Sequence, residues 1–266
     1  MTFTRRTIRT IAEFEGKALH GGHPVKVRVH PSSGGIFFRA GSQRWEARPV
    51  HVTDTSRCTT LGEISTIEHV MSALAGLEIT DAEVEVEGGE LPGLDGSALP
   101  YVEGLLAAGI EVLGEAPLHV PFKRVFFQEK EVKVAIGKGT GHWQYTYDVS
   151  PRWPGEQTFE VLDVVSSYAE QVAPARTLVL AEEMPMVRQY GLGKGLDEAS
   201  VVVLGASAYE TPVRFSDEPS RHKLLDLIGD LYLAGIPIRY LNVSAQRSGH
   251  RTNIEAARLL LEFVEE

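Results

Sequence analysis

The chain has 266 residues, a formal net charge of −10, 43% hydrophobic and 23% charged residues. That apolar share with interspersed charge excludes extensive disorder and fills the core of one large domain or two small ones. A single cysteine, Cys58, excludes a disulfide framework and a thiolate zinc knuckle, the acidic balance opposes nucleic-acid binding, and no run reaches the roughly 20 apolar residues of a membrane span.

Residues 1–7 lead into polar alternation instead of an apolar secretory core, so a cytoplasmic, reducing location is expected. Residues 4–14 alternate loosely, 25–29 strictly, and 35–39 form an apolar run after glycine, so the first 60 residues read as short strands. The period then changes. Residues 65–77 read as a helix with Val70, Met71, Leu74 and Leu77 on one face; 81–87 alternate again, and 100–108 read as a short helix. Around 114–121 the pattern lapses into Gly and Pro, the expected boundary between domains 1–116 and 117–266. Strands are expected at 125–136, 143–148, 161–168 and 199–204, a turn at 151–155, a loop at 191–195, and a second strong helix from about 219 to 234. Strands and helices come in blocks, which favours an α+β fold. Both strong helices share a spacing, His69, Leu74, Gly76 and His222, Leu227, Gly229, as two similar halves would.

On the second helix His222 and Asp226 lie four apart, one turn above the other, and Asp230 continues the row. An ordinary exposed polar face gives the same pattern, and so do two ligands of a common ion. In the first helix Glu68 diverges by 100° from its neighbour His69, which suits a metal-binding imidazole beside a carboxylate that moves a proton. Ser65 and Glu68 also fit a capping box, which explains Glu68 but not His69. Two imidazoles and one carboxylate leave a free position for water, as in catalytic zinc sites, and suit iron(II) equally. Ser248-Gly249-His250 reads as a histidine in a loop. The stretch 191–195 lacks the spacing of a phosphate loop, Cys58 reads as a small buried residue, and Trp143 and Trp153 read as core or as a sugar-stacking surface.

Four ordered segments, 66–76, 91–98, 221–230 and 248–250, closely resemble the zinc-dependent UDP-3-O-acyl-N-acetylglucosamine deacetylases of lipid A biosynthesis. The resemblance runs nearly end to end, from Arg6-Thr7-Ile8 and Leu19-His20-Gly21-Gly22 through Ala175-Arg176-Thr177 and Gly195-Leu196-Asp197. It implies two similar α+β domains, each a sheet layered on helices, with the active site at their interface. It also implies zinc (iron(II) being the alternative) on His69, His222 and Asp226, Glu68 as general base, and His250 as acid or cationic stabiliser oriented by Asp230. Thr177 would help hold the oxyanion, and Lys223 and His20 would bind a nucleotide-sugar substrate. The chain departs from the family at Leu178, where an aromatic is usual, in the segment Tyr147-Asp148-Val149-Ser150-Pro151, and at Glu198. The resemblance therefore implies intact chemistry, with two alternatives: the same mechanism on another acetamido substrate, or a non-catalytic nucleotide-sugar-binding homologue.

Overall fold

A computed structural model describes residues 1–264. The first half runs through β1 (Thr2–Ile8), β2 (Ala12–Lys17), β3 (Pro24–Pro31), β4 (Ile36–Ala40) and β5 (Gln43–Glu46). It continues with the short β6 (Val52–Asp54) and β7 (Thr60–Leu61), then α1 (Glu68–Gly76), β8 (Ala82–Glu87), α2 (Leu99–Ala107) and β9 (Ile110–Pro117). The second half begins with β10 (Val125–Glu129), β11 (Val132–Lys138), β12 (Trp143–Asp148), β13 (Glu156–Val161) and the one-turn α3 (Val164–Ser167). An excursion follows, made of β14 (Leu178–Leu180), α4 (Met184–Gln189) and β15 (Val202–Leu204). The chain then forms α5 (Glu218–Tyr232), β16 (Leu241–Gln246) and α6 (His250–Leu261).

The halves repeat one plan. The first sheet has the order β2-β3-β8-β4-β5 and the second β10-β11-β16-β12-β13. In each, the last strand slips between two hairpins, antiparallel to one neighbour (β3–β8, β11–β16) and parallel to the other (β4–β8, β12–β16). The alternation behind this is plain in β8. Ala82, Val84 and Val86 face the core, while Glu83 and Glu85 pair with Arg39, Arg44 and His30 on the outer face. Each half delivers one largely buried helix, α1 or α5, to the other, with α2 flanking α1 and α6 flanking α5. A single apolar core runs through both halves. No helix among the described residues is long and apolar enough to cross a membrane.

Several expectations change. The Gly- and Pro-rich stretch at 114–121 overlaps β9, which pairs antiparallel with β1 around a register shift between Arg5 and Arg6. Most of its side chains are exposed, so no alternation marks it as a strand. Residues 125–136 split into a hairpin turning at Lys130, whose φ is +52°. The expected strand at 161–168 ends at Val161; Asp163 then caps α3 by accepting from Ser166 N at 3.2 Å, and Tyr168–Val172 form a wide helical turn. The strand expected at 199–204 is confined to Val202–Leu204. Trp143 is a core residue, fully buried and donating to the Ile238 carbonyl.

Candidate active site

Two glycines at matching positions of the repeat allow close packing, and the one in α5 lets the central helices approach. A Cβ on Gly229 of α5 would lie 2.1 Å from the Glu68 carbonyl oxygen of α1, and one on Gly76 would lie 2.1 Å from the Tyr168 ring. Backbone-to-backbone contact at Gly229 puts the first turn of α1 beside the middle of α5. Gly229→Ala is expected to push the helices apart, destabilise the fold by about 1–3 kcal/mol and weaken metal binding. Thermal unfolding and metal titration measure both effects.

The approach brings His69, His222 and Asp226 together, with one ligand atom of each within 4.8 Å of the others. His69 Nε2 and His222 Nε2 lie 3.7 and 3.4 Å from Asp226 Oδ1, and the two rings meet edge to face. All three residues are buried. His222 Nδ1 donates to the Ala175 carbonyl at 3.0 Å, which leaves the Nε2 lone pair free to face the cluster. Burial pushes His69 down to about 3 and lowers His222 as well, so both rings are neutral near pH 7, the form that binds metal. Burial alone would raise the Asp226 carboxyl, but His222 and Lys223 outweigh it and hold it below the usual carboxylate range. Asp226 Oδ2 accepts from Lys223 Nζ at 2.8 Å, whereas the buried Oδ1 has no hydrogen-bond partner among the described residues. A buried anionic oxygen without a donor costs about 1–3 kcal/mol or more, and a cation between it and the two imidazoles removes that cost. The cluster therefore has the donor types, the tautomer and the unmet demand with which three residues could hold a metal ion.

Glu68 does not cap α1. Ser65 N donates to the Gly89 carbonyl, and Glu68 Oε2 accepts instead from Thr59 N at 3.0 Å. Burial is the main cause that pushes Glu68 up to about 7, with Asp226 and Asp230 adding to it and His250 opposing. His250 is the first residue of α6 and not a loop residue; the Thr252 hydroxyl accepts from Gly249 N at that helix start. His250 Nδ1 donates to Asp230 Oδ2 at 3.0 Å. Burial works against charge on this ring, but Asp230 and Glu68 overcome it and push His250 up to about 9, so it is cationic at neutral pH. Asp230 is fully buried and also accepts from Asn253 Nδ2 at 2.9 Å and Thr59 Oγ1 at 2.6 Å. The face of α5 bearing His222, Asp226 and Asp230 is thus buried, contrary to a solvated polar face.

A cavity of about 920 Å³ opens onto this centre. Its walls include Glu68, His69, His222, Lys223, Asp226, His250, Thr177 and His20, while Asp230 stands behind His250. The segment 173–177 is pinned from both halves. Ala98 N donates to Ala173 O at 3.0 Å, Thr177 N to Gly96 O at 2.8 Å, and Arg176 N to buried Glu218 at 3.0 Å. That fixes Thr177 and, through Ala175, the His222 tautomer. His20 Nδ1 accepts from Gly193 N at 3.4 Å, so the 191–195 loop packs on the His20 turn and lines the cavity. Apolar side chains of Leu178, Val179, Met184, Val187, Leu196 and Val203 also line the cavity, interspersed in sequence with the charged Glu183, Arg188 and Lys194. Burial pushes the Cys58 thiol up to about 12, which removes it as a nucleophile at neutral pH. Sequence reasoning missed Thr59, Asn253 and the Ala175 carbonyl; the adjacent Thr59-Thr60 pair beside Cys58 was the available signal for the first.

The family model described as UDP-3-O-acyl N-acetylglycosamine deacetylase matches residues 5–262. A UDP-3-O-acyl-N-acetylglucosamine deacetylase of Citrifermentans bemidjiense is 33% identical over 271 residues, covering 97% of this chain and 88% of that protein. One of the same description from Leptospira biflexa serovar Patoc is 32% identical over 275 residues, covering 98% and 90%.

Proposed function

This chain belongs to the UDP-3-O-acyl N-acetylglycosamine deacetylase family, and on that premise we propose that it hydrolyses the acetamide of a UDP-linked, 3-O-acylated N-acetylglucosamine to acetate and a free amine. The observation that carries the reading is Asp226 Oδ1, without a hydrogen-bond partner among the described residues, beside two neutral imidazoles in a cavity that Glu68 and His250 also line. His69, His222 and Asp226 would hold zinc, with iron(II) compatible with the same donors. When bound, such an ion supplies Lewis acidity, polarising the acetamide carbonyl and acidifying water.

The chain's own groups divide the remaining work. Glu68, raised to about 7, takes the proton of the attacking water. The Thr177 hydroxyl donates to the oxyanion that develops on the carbonyl oxygen. His250, cationic and oriented by Asp230, stabilises that charge and delivers a proton to the departing nitrogen. Lys223 carries an ammonium that Asp226 more than protects against the effect of burial, and it faces the cavity, where substrate phosphate or sugar oxygens replace part of its contact with Asp226. His20 also lines the cavity, where it would contact the substrate. The apolar side chains of the wall, Leu178, Val179, Met184, Val187, Leu196 and Val203, take the acyl chain. Residues 1–116 and 117–266 form the two domains of this reading, supported by their matching strand order.

Acetate release from acylated and unacylated UDP-N-acetylglucosamine tests the assignment. Because of these apolar side chains, kcat/KM is expected to be at least about 100-fold higher for the acylated substrate, the worth of burying a few methylenes at about 0.8 kcal/mol each. Leu178 lines the cavity where the family usually carries an aromatic, and this favours a second reading in which the same chemistry serves another acetamido sugar. Equal rates on both compounds, or turnover of neither with activity on a different acetamido sugar, would support it. Tight binding of nucleotide sugars with no amine release from any would instead mark a non-catalytic homologue.

A further inference from the structure

We infer that Thr59 is a positioning residue that locks the general base and the cationic histidine into one fixed arrangement; the inference rests on the deacetylase reading and deepens it. Thr59 is fully buried just ahead of β7 and is not part of the cavity wall, so it does not touch substrate. Its backbone N–H donates to Glu68 Oε2 at 3.0 Å. Its hydroxyl donates to Asp230 Oδ1 at 2.6 Å. Its carbonyl accepts from Ile67 N at 3.2 Å, at the entry to α1. The other oxygen of Asp230 accepts from His250 Nδ1 and Asn253 Nδ2.

A continuous chain of contacts therefore runs Glu68, Thr59, Asp230, His250, and its ends are the two proton-transfer groups. The members come from α1, a loop, α5 and α6, so no single element holds base and histidine in register. Thr59 supplies that register. Its backbone anchors the base, and its side chain sets the rotation of the Asp230 carboxylate, which in turn aims His250. Without the hydroxyl, Asp230 Oδ1 loses its only hydrogen-bond donor among the described residues. The carboxylate is then held only through Oδ2, by Asn253 and by His250 itself, so it turns more easily about its Cβ–Cγ bond and carries His250 with it. Small displacements of this kind cost far more in the chemical step than in binding.

Thr59→Val isolates the hydroxyl, because it keeps the residue's volume and the amide that serves Glu68. It is expected to lower kcat per bound metal by about 10- to 100-fold with KM within about twofold, and Thr59→Ser to recover most of the loss. In a His250→Ala background the same substitution should cost less than about twofold further, since the group it aims is gone. A merely structural role would lower Tm while leaving kcat per bound metal and this non-additivity untouched. A readout independent of turnover is the downfield Nδ1–H proton resonance of His250, expected to shift or vanish in Thr59→Val and return in Thr59→Ser. An unchanged resonance, an unchanged kcat per bound metal, or the full loss persisting without His250 would each overturn the inference. Wild-type acetate release in the same assay judges the deacetylase reading separately.

Discussion

Replacing His222 with alanine is expected to abolish bound metal and turnover together. In the proposed assignment the imidazole supplies one of three donors, and its Nε2 lies 3.4 Å from the Asp226 oxygen that has no hydrogen-bond partner among the described residues. Two remaining donors cannot hold a catalytic ion against bulk water, and the Ala175 carbonyl also loses the proton donated by the ring. Metal analysis after gel filtration, with circular dichroism to establish folding, checks the result. A folded variant that retains stoichiometric metal would contradict the ligand assignment.

Glu68→Ala and Glu68→Gln are expected to keep the metal and lose about 10²- to 10⁴-fold in kcat, the usual worth of a positioned general base. Glu68 accepts from the Thr59 amide and is raised to about 7 mainly by burial, with Asp226 and Asp230 contributing, so it is both oriented and basic enough to take a proton near neutral pH. The glutamine preserves shape but cannot serve as a base. Turnover near the wild-type rate with metal bound would reduce Glu68 to an acceptor for a loop amide.

The two helices that build the site were readable because their chemistry follows helical period. His222, Asp226 and Asp230 fall on one face by spacing alone, and the shared His-Leu-Gly spacing anticipated a repeat that the two sheets display strand for strand. The spacing of Ser65 and Glu68 was ambiguous, because a capping box and a catalytic carboxylate place the same residue types at the same interval; only the Thr59 amide, nine residues upstream, separates them. β9 escaped notice because an exposed ribbon lacks inward and outward alternation, and 161–168 misled because paired valines after a true strand look like its continuation. Thr59 and Asn253 carry no local pattern at all. Their roles arise from contacts 171 and 23 residues away along the chain. The 191–195 loop shows the opposite case, glycines that suggest anion binding but serve close packing: a Cβ on Gly195 would lie 2.2 Å from the Ala18 carbonyl oxygen.

Anomalous diffraction at the zinc edge, from crystals of the zinc-loaded protein, tests the central claim most directly. A single strong peak is expected among His69 Nε2, His222 Nε2 and Asp226 Oδ1, with Glu68 outside bonding distance and one coordination position left to solvent. A peak elsewhere, or one in which Glu68 is bonded to the ion, would contradict it.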